Sequence, residues 1–130
     1  MPDKQTILIV EDEKDFARAL EILLNSKGYK IEIANDGMSG LQKAREMSPD
    51  LIILDIMLPK INGYKISRLL KFDEQFKNIP IIMLTARAEK HDEEVGMETG
   101  ADIYMTKPLE NKELLRNMED LLGAHPADDE

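Results

Sequence analysis

Leu51-Ile52-Ile53-Leu54-Asp55 is the stretch on which the fold turns: four large aliphatic residues in a row, closed by a carboxylate. A strand with one wet face alternates apolar and polar residues. An unbroken apolar run of this length instead fits a strand buried on both faces of a parallel sheet. Ile7–Val10 and Ile81–Leu84 have the same character, whereas Ile31–Ala34 and Ala101–Met105 are interrupted by Glu32 and Asp102 and read as edge strands. Between the runs the apolar residues take a helical period. Phe16, Leu20, Leu23 and Leu24 share one face of a first helix that Gly28 stops. Met38, Leu41 and Ala44 mark a second, with Asp36 as its N-cap, and Ile66, Leu69 and Leu70 a third that starts near Asn62. Leu114, Leu115, Met118, Leu121 and Leu122 define a fifth. The fourth, around Glu93–Glu98, is weak: only Val95 and Met97 are large and apolar, and Gly96 costs about 1 kcal/mol against alanine. Five alternations of strand and helix predict an α/β fold, a doubly wound parallel sheet.

The chain has 130 residues, no cysteine and a formal charge of −9, from 17 basic and 26 acidic residues. That length suits one domain, long enough to bury about two-thirds of the surface of its unfolded chain. A disulfide scaffold and a cysteine-ligated metal site are excluded. No apolar run is long enough to span a membrane, and the N-terminal MPDKQT lacks a signal-peptide core. A cytoplasmic domain is therefore expected. The acidic excess disfavours direct nucleic-acid binding and favours cations or basic partners. The domain is read over residues 1–122, with 123–130 as an acidic tail or a cut linker.

In an open parallel sheet, ligands bind beyond the carboxyl ends of the strands. After the first run come Glu11, Asp12 and Glu13; the third ends in Asp55; Thr85 follows the fourth and Lys107 the fifth. Singly, each has a plain explanation: an acid capping a helix, a turn hydroxyl, a solvated lysine. Asp55 is harder to set aside, because a carboxylate at the mouth of an apolar strand needs partners. Their convergence on one rim predicts a site. Oxygen ligands without His or Cys select a hard cation such as Mg²⁺. The three charges of Glu11, Asp12 and Asp55 are matched by one Mg²⁺ and Lys107. Phosphoryl transfer needs mainly positioning and charge neutralisation, and a carboxylate can act as its nucleophile. Asp50 is a rival by residue type only, since it stands at the start of its strand. Met83 and Met105 read as core filler, and His91 and His125 have no matched ligands.

In this order and spacing ILIVEDE, LIILDIMLPKINGY, IPIIMLTAR and GADIYMTKP resemble the receiver domain of bacterial two-component response regulators, over roughly residues 5–122. The resemblance implies a flavodoxin-like, five-stranded parallel sheet in order 2-1-3-4-5 with five helices. It implies Asp55 as phosphoacceptor and a Mg²⁺ site (Mn²⁺ as substitute) formed by Asp12, Glu11 acting through water, Asp55 and the backbone carbonyl of Met57. Thr85 and Lys107 correspond to the residues that hold phosphoryl oxygens, Lys107 and Pro108 to a cis peptide, and Tyr104 to an aromatic switch coupled to Thr85. The implied partners are a histidine kinase or histidine phosphotransfer protein, and a downstream target or a C-terminal output domain. Kinase docking is expected around Phe16, Leu20 and Pro108. The implied state is a monomer when unphosphorylated and a dimer on activation; Arg87 and Asp102 fit the family's charge pattern for that dimer, while Ile103 and Asn117 depart from it. No separate substrate turnover is expected. A phosphatase resembling the haloacid dehalogenase group is disfavoured, since Met57 stands where its general acid belongs. A degenerate scaffold is disfavoured by the presence of Glu11, Asp12, Asp55, Thr85 and Lys107 together.

Overall fold

A computed structural model describes residues 4–86 and 100–123. Chain order is β1 (Thr6–Val10), α1 (Lys14–Ser26), β2 (Lys30–Ala34), α2 (Gly37–Met47), β3 (Leu51–Asp55), α3 (Gly63–Lys71), β4 (Ile81–Thr85), β5 (Ile103–Thr106) and α4 (Asn111–Leu122). The strands form one parallel sheet in order β2-β1-β3-β4-β5. Four helices are present among the described residues, against the five expected. The weak helix read at Glu93–Glu98 lies outside them, as do Arg87, His91, His125 and most of the acidic tail. The helix read as the fifth is α4.

Both faces of the sheet are covered, which explains the unbroken apolar runs. Side chains alternate between faces along a strand. Leu8, Val10, Ile52, Leu54 and Met83 pack with α2 and α3, while Ile7, Ile9, Ile53, Ile82 and Leu84 pack with α1 and α4. Burying each such side chain contributes about 1.5–3 kcal/mol. Caps set the helix ends. Asp36 accepts from the Ser39 N–H at 2.8 Å and Asn62 from the Lys65 N–H at 3.0 Å. At the end of α1, Gly28 has φ +95°, a conformation open to a residue without Cβ.

Two details differ from the reading by periodicity. Met38 is 50% exposed, because α2 turns Gly37, Gly40, Leu41 and Ala44 inward. The face of that helix is built on small residues that let it lie close to Val10. β5 begins at Ile103 rather than Ala101, because Asp102 is used otherwise. Its Oδ2 accepts from the Ile81 N–H at 2.8 Å and from Lys71 Nζ at 2.9 Å. Lys71 also donates to the carbonyls of Ile79 (2.7 Å) and Lys77 (3.3 Å), so one ammonium ties the end of α3 to the starts of β4 and β5.

Candidate metal and phosphoryl site

Parallel pairing delivers the carboxyl ends of β1, β3, β4 and β5 to one rim. Asp55 is the last residue of β3 and pairs with Leu84, Thr85 follows on β4, and Thr85 pairs with Thr106 on β5. Lys107 is the next residue, its N–H donating to the Thr85 carbonyl at 2.7 Å. The Lys107–Pro108 peptide is cis. Asp50 is at the other end of β3, where it accepts from the Thr6 N–H at 2.7 Å.

Carboxylate oxygens of Glu11, Asp12 and Asp55 lie within 4.8 Å of one another. Glu11 and Asp55 are buried; Asp12 is exposed. Glu11 Oε2 accepts from the Glu13 N–H at 3.0 Å. Its Oε1 is 2.9 Å from Lys107 Nζ, a charge contact off the line of a hydrogen bond, and has no hydrogen-bond partner among the described residues. Asn35 supports this corner: its Nδ2 donates to the Glu11 carbonyl at 3.0 Å. Burial pushes the Glu11 carboxyl up to about 7, overriding the opposing pull of Lys107 and the Glu13 N–H. A buried, incompletely bonded carboxylate between two others is a donor set that a hard divalent cation satisfies.

Lys107 Nζ is the centre of the positive charge. It lies 2.9 Å from Glu11, 3.0 Å from Glu13 and 3.3 Å from Asp55, and 4.4 Å from the centroid of the Phe16 ring. Burial alone lowers an ammonium's pKa, but Glu11, Glu13 and Asp55 outweigh it and hold Lys107 above the ordinary lysine value. Asp55 Oδ1 accepts from the Met57 N–H at 3.2 Å, while the Met57 side chain is 72% exposed. The loop after Asp55 is pinned by the Gly63 N–H on the Ile56 carbonyl at 2.9 Å.

The structure thus gathers Glu11, Asp12, Asp55 and Lys107, with Thr85 buried at the adjoining strand end. Tyr104 lies farther back on β5, opposite Met83. Its hydroxyl is buried and has no hydrogen-bond partner among the described residues. Sequence reasoning missed the contact of Glu13 with Lys107 and the position of Phe16, which it had assigned to docking. A groove of about 210 Å³ between α1 and the loop after Lys107 is lined by Phe16, Leu20, Leu23, Pro108 and Leu109. A larger open groove along Tyr64, Arg68, Leu69 and Phe72 of α3 and its end shares no residue with the carboxylate cluster.

A doubly wound sheet in this order, with three carboxylates, a lysine and a threonine on its carboxyl rim, defines a class: flavodoxin-like α/β domains whose ligand site lies beyond the carboxyl ends of the strands. The model of the response regulator receiver domain matches residues 7–119. Response regulator ArlR of Staphylococcus epidermidis is 44% identical over 123 residues, covering 95% of this chain and 55% of its own length. A putative response regulator from Chloroflexus aurantiacus superposes with a TM-score of 0.88 at 35% identity, covering 92% of this chain and 98% of that one. The receiver domain of a sensor histidine kinase from Pseudomonas aeruginosa, solved with a magnesium ion coordinated in its active-site cleft, superposes at 0.86 with 33% identity, covering 93% and 99%. The chain belongs to the response regulator receiver domain family: it is a phosphoacceptor module of two-component signalling. It spans about half the length of the curated relatives it matches.

Proposed function

We propose that Asp55 accepts a phosphoryl group from a phosphohistidine of a partner kinase or phosphotransfer protein. The observation that carries this reading is the Asp55 carboxylate itself, buried at the rim beside Glu11 and Asp12 and 3.3 Å from Lys107 Nζ. In the transfer, an Asp55 oxygen forms a bond to phosphorus as the phosphorus–nitrogen bond of the donor breaks. The donor imidazole leaves with the electron pair and takes up a proton. Asp55 is held for this by the Met57 N–H on Oδ1 and by Lys107 on Oδ2. Lys107 and the Thr85 hydroxyl then hold phosphoryl oxygens, neutralising charge that develops on them.

Glu11, Asp12, Asp55 and the Met57 carbonyl are the residues to hold Mg²⁺, which when bound supplies charge neutralisation to the transferring group. Mn²⁺ is a substitute of similar preference for oxygen ligands. Phosphorylation acts on Tyr104, whose unsatisfied buried hydroxyl supports a side chain with a second position. The changed surface is the face of β5 and α4 together with the helix read at Glu93–Glu98, which lies outside the described residues, and it serves a downstream target or an output domain. The groove by Phe16, Leu20 and Pro108 receives the kinase. No turnover of a separate substrate is proposed.

Intact-protein mass spectrometry after incubation with acetyl phosphate tests this, with and without Mg²⁺ and beside Asp55→Asn. One phosphoryl adduct that requires both Mg²⁺ and Asp55 is the expected result. No adduct on a folded protein, or an adduct retained in Asp55→Asn, overturns it.

A further inference from the structure

We propose that Glu13 is a positioning residue that holds Lys107 in the resting protein and competes with an incoming phosphoryl group for it, so that it brakes phosphoryl uptake. This role presupposes Asp55 as the phosphoacceptor. Glu13 is the N-cap of α1: its carbonyl accepts from the Ala17 N–H at 3.0 Å and its backbone is extended. N-caps are mostly Ser, Thr, Asp or Asn, whose short side chains reach back to a free N–H of the first turn. The Glu13 side chain makes no such bond. It crosses instead to a residue 94 positions away, Oε1 accepting from Lys107 Nζ at 3.0 Å. A local rule broken beside a reactive centre points to a use outside the helix.

The surroundings of Lys107 say what that use is. Of the three donors of an ammonium, two go to Glu13 at 3.0 Å and Asp55 at 3.3 Å, and Glu11 Oε1 crowds the same nitrogen at 2.9 Å as a charge contact. The Phe16 ring closes a further side, and the lysine side chain is only 15% exposed. In so crowded a shell, a phosphoryl oxygen arriving on Asp55 displaces one of these anions. Glu11 is fully buried and fixed by the Glu13 N–H, and Asp55 is itself the acceptor. Glu13 is 65% exposed, so water solvates its carboxylate as it lets go. It is the anion that leaves. Its charge also repels an anionic donor at the mouth of the site, and both effects slow uptake.

Glu13→Gln removes both. With acetyl phosphate and Mg²⁺ at low ionic strength, the initial rate of adduct formation by intact mass is expected to rise about two- to fivefold, the scale of one exposed ion pair. At about 1 M salt, where screening acts within roughly 3 Å, the gain disappears. In ¹⁵N-lysine-labelled, metal-free protein, the Lys107 ammonium signal shifts and broadens through faster proton exchange, which a purely helix-starting residue does not cause. Circular dichroism confirms folding; an exposed side chain without a capping bond is not expected to disturb it. Unchanged or slower uptake by Glu13→Gln in a wild-type-like fold, a gain that is indifferent to salt, or an unmoved Lys107 signal overturns the role of Glu13 while leaving Asp55 as acceptor. Wild-type protein that forms no adduct overturns the Asp55 reading and this role with it.

Discussion

Gly63→Ala sets two opposing effects against each other. Gly63 opens α3, and its φ is outside the left-handed region. On propensity alone, alanine in a helix is favoured by about 0.5–1 kcal/mol. The packing says otherwise. A Cβ here falls 2.4 Å from the Asp55 carbonyl oxygen, 2.9 Å from Ile56 Cα and 3.0 Å from the Asp55 carbonyl carbon. These are backbone atoms, and the Ile56 N–H is bonded to Leu84 at 3.0 Å, so the end of β3 gives way only by disturbing the sheet. Overpacking of this kind costs about 1–3 kcal/mol. The net expectation is a loss of about 1–2 kcal/mol, which at an ordinary urea dependence lowers the unfolding midpoint by about 0.5–1 M. Because the displaced peptide is that of Asp55, phosphoryl uptake from acetyl phosphate falls as well. Urea titration by circular dichroism and a mass-spectrometric time course measure the two. A midpoint equal to or above wild type, with unchanged uptake, refutes the reasoning.

Other expectations test features away from that contact. Lys71→Met removes an ammonium bonded to Asp102 and to the Ile79 and Lys77 carbonyls, and urea unfolding is expected to show a loss of about 1.5–3 kcal/mol, the scale of hydrogen bonds to a charged group. Asn62→Ala removes the side-chain cap of α3 and costs about 1 kcal/mol in the same assay. The Ser39 N–H holds the Asp36 carboxyl below the 3.8 of a free aspartate, so an NMR titration of its carboxyl carbon is expected to show a lower midpoint. Since the folded state lowers this pKa, the stabilisation is present above pH 3.8 and is lost as pH falls through the folded value; Asp36→Asn, which keeps a capping oxygen, removes that acid dependence.

Much of this was legible in the sequence where one local cause decides. LIIL reads as a doubly buried strand because nothing in it can face water, and Asp36 reads as a cap because a short acid before a helix bonds the first turn of that helix. The rim residues were found because parallel strands place their carboxyl ends together. What escaped reading depends on contacts between distant segments. Met38 carries the hydrophobicity of α2, yet Gly37 and Gly40 take the inner face because Ile61 and Val10 respectively leave no room for a larger residue. Phe16 looks like a core or docking residue until Lys107 is placed over its ring. Glu13 left one faint signal, a glutamate at a helix start where a short capping side chain is usual.

The bonding of Asp102 bears on how two copies of this chain could recognise each other. A carboxylate projecting from the start of a sheet-edge strand is an obvious electrostatic handle for a neighbour, but here one oxygen already takes the Ile81 N–H and the Lys71 ammonium at 2.8 and 2.9 Å. On the adjoining helix Asn117, which lends its amide to Met105 sulfur at 3.5 Å, offers no countercharge. A mate that reaches for Asp102 shares with Lys71 the charge of a carboxylate already used to fasten two strands. Self-association through this edge therefore gains less from Asp102 than the bare sequence suggests.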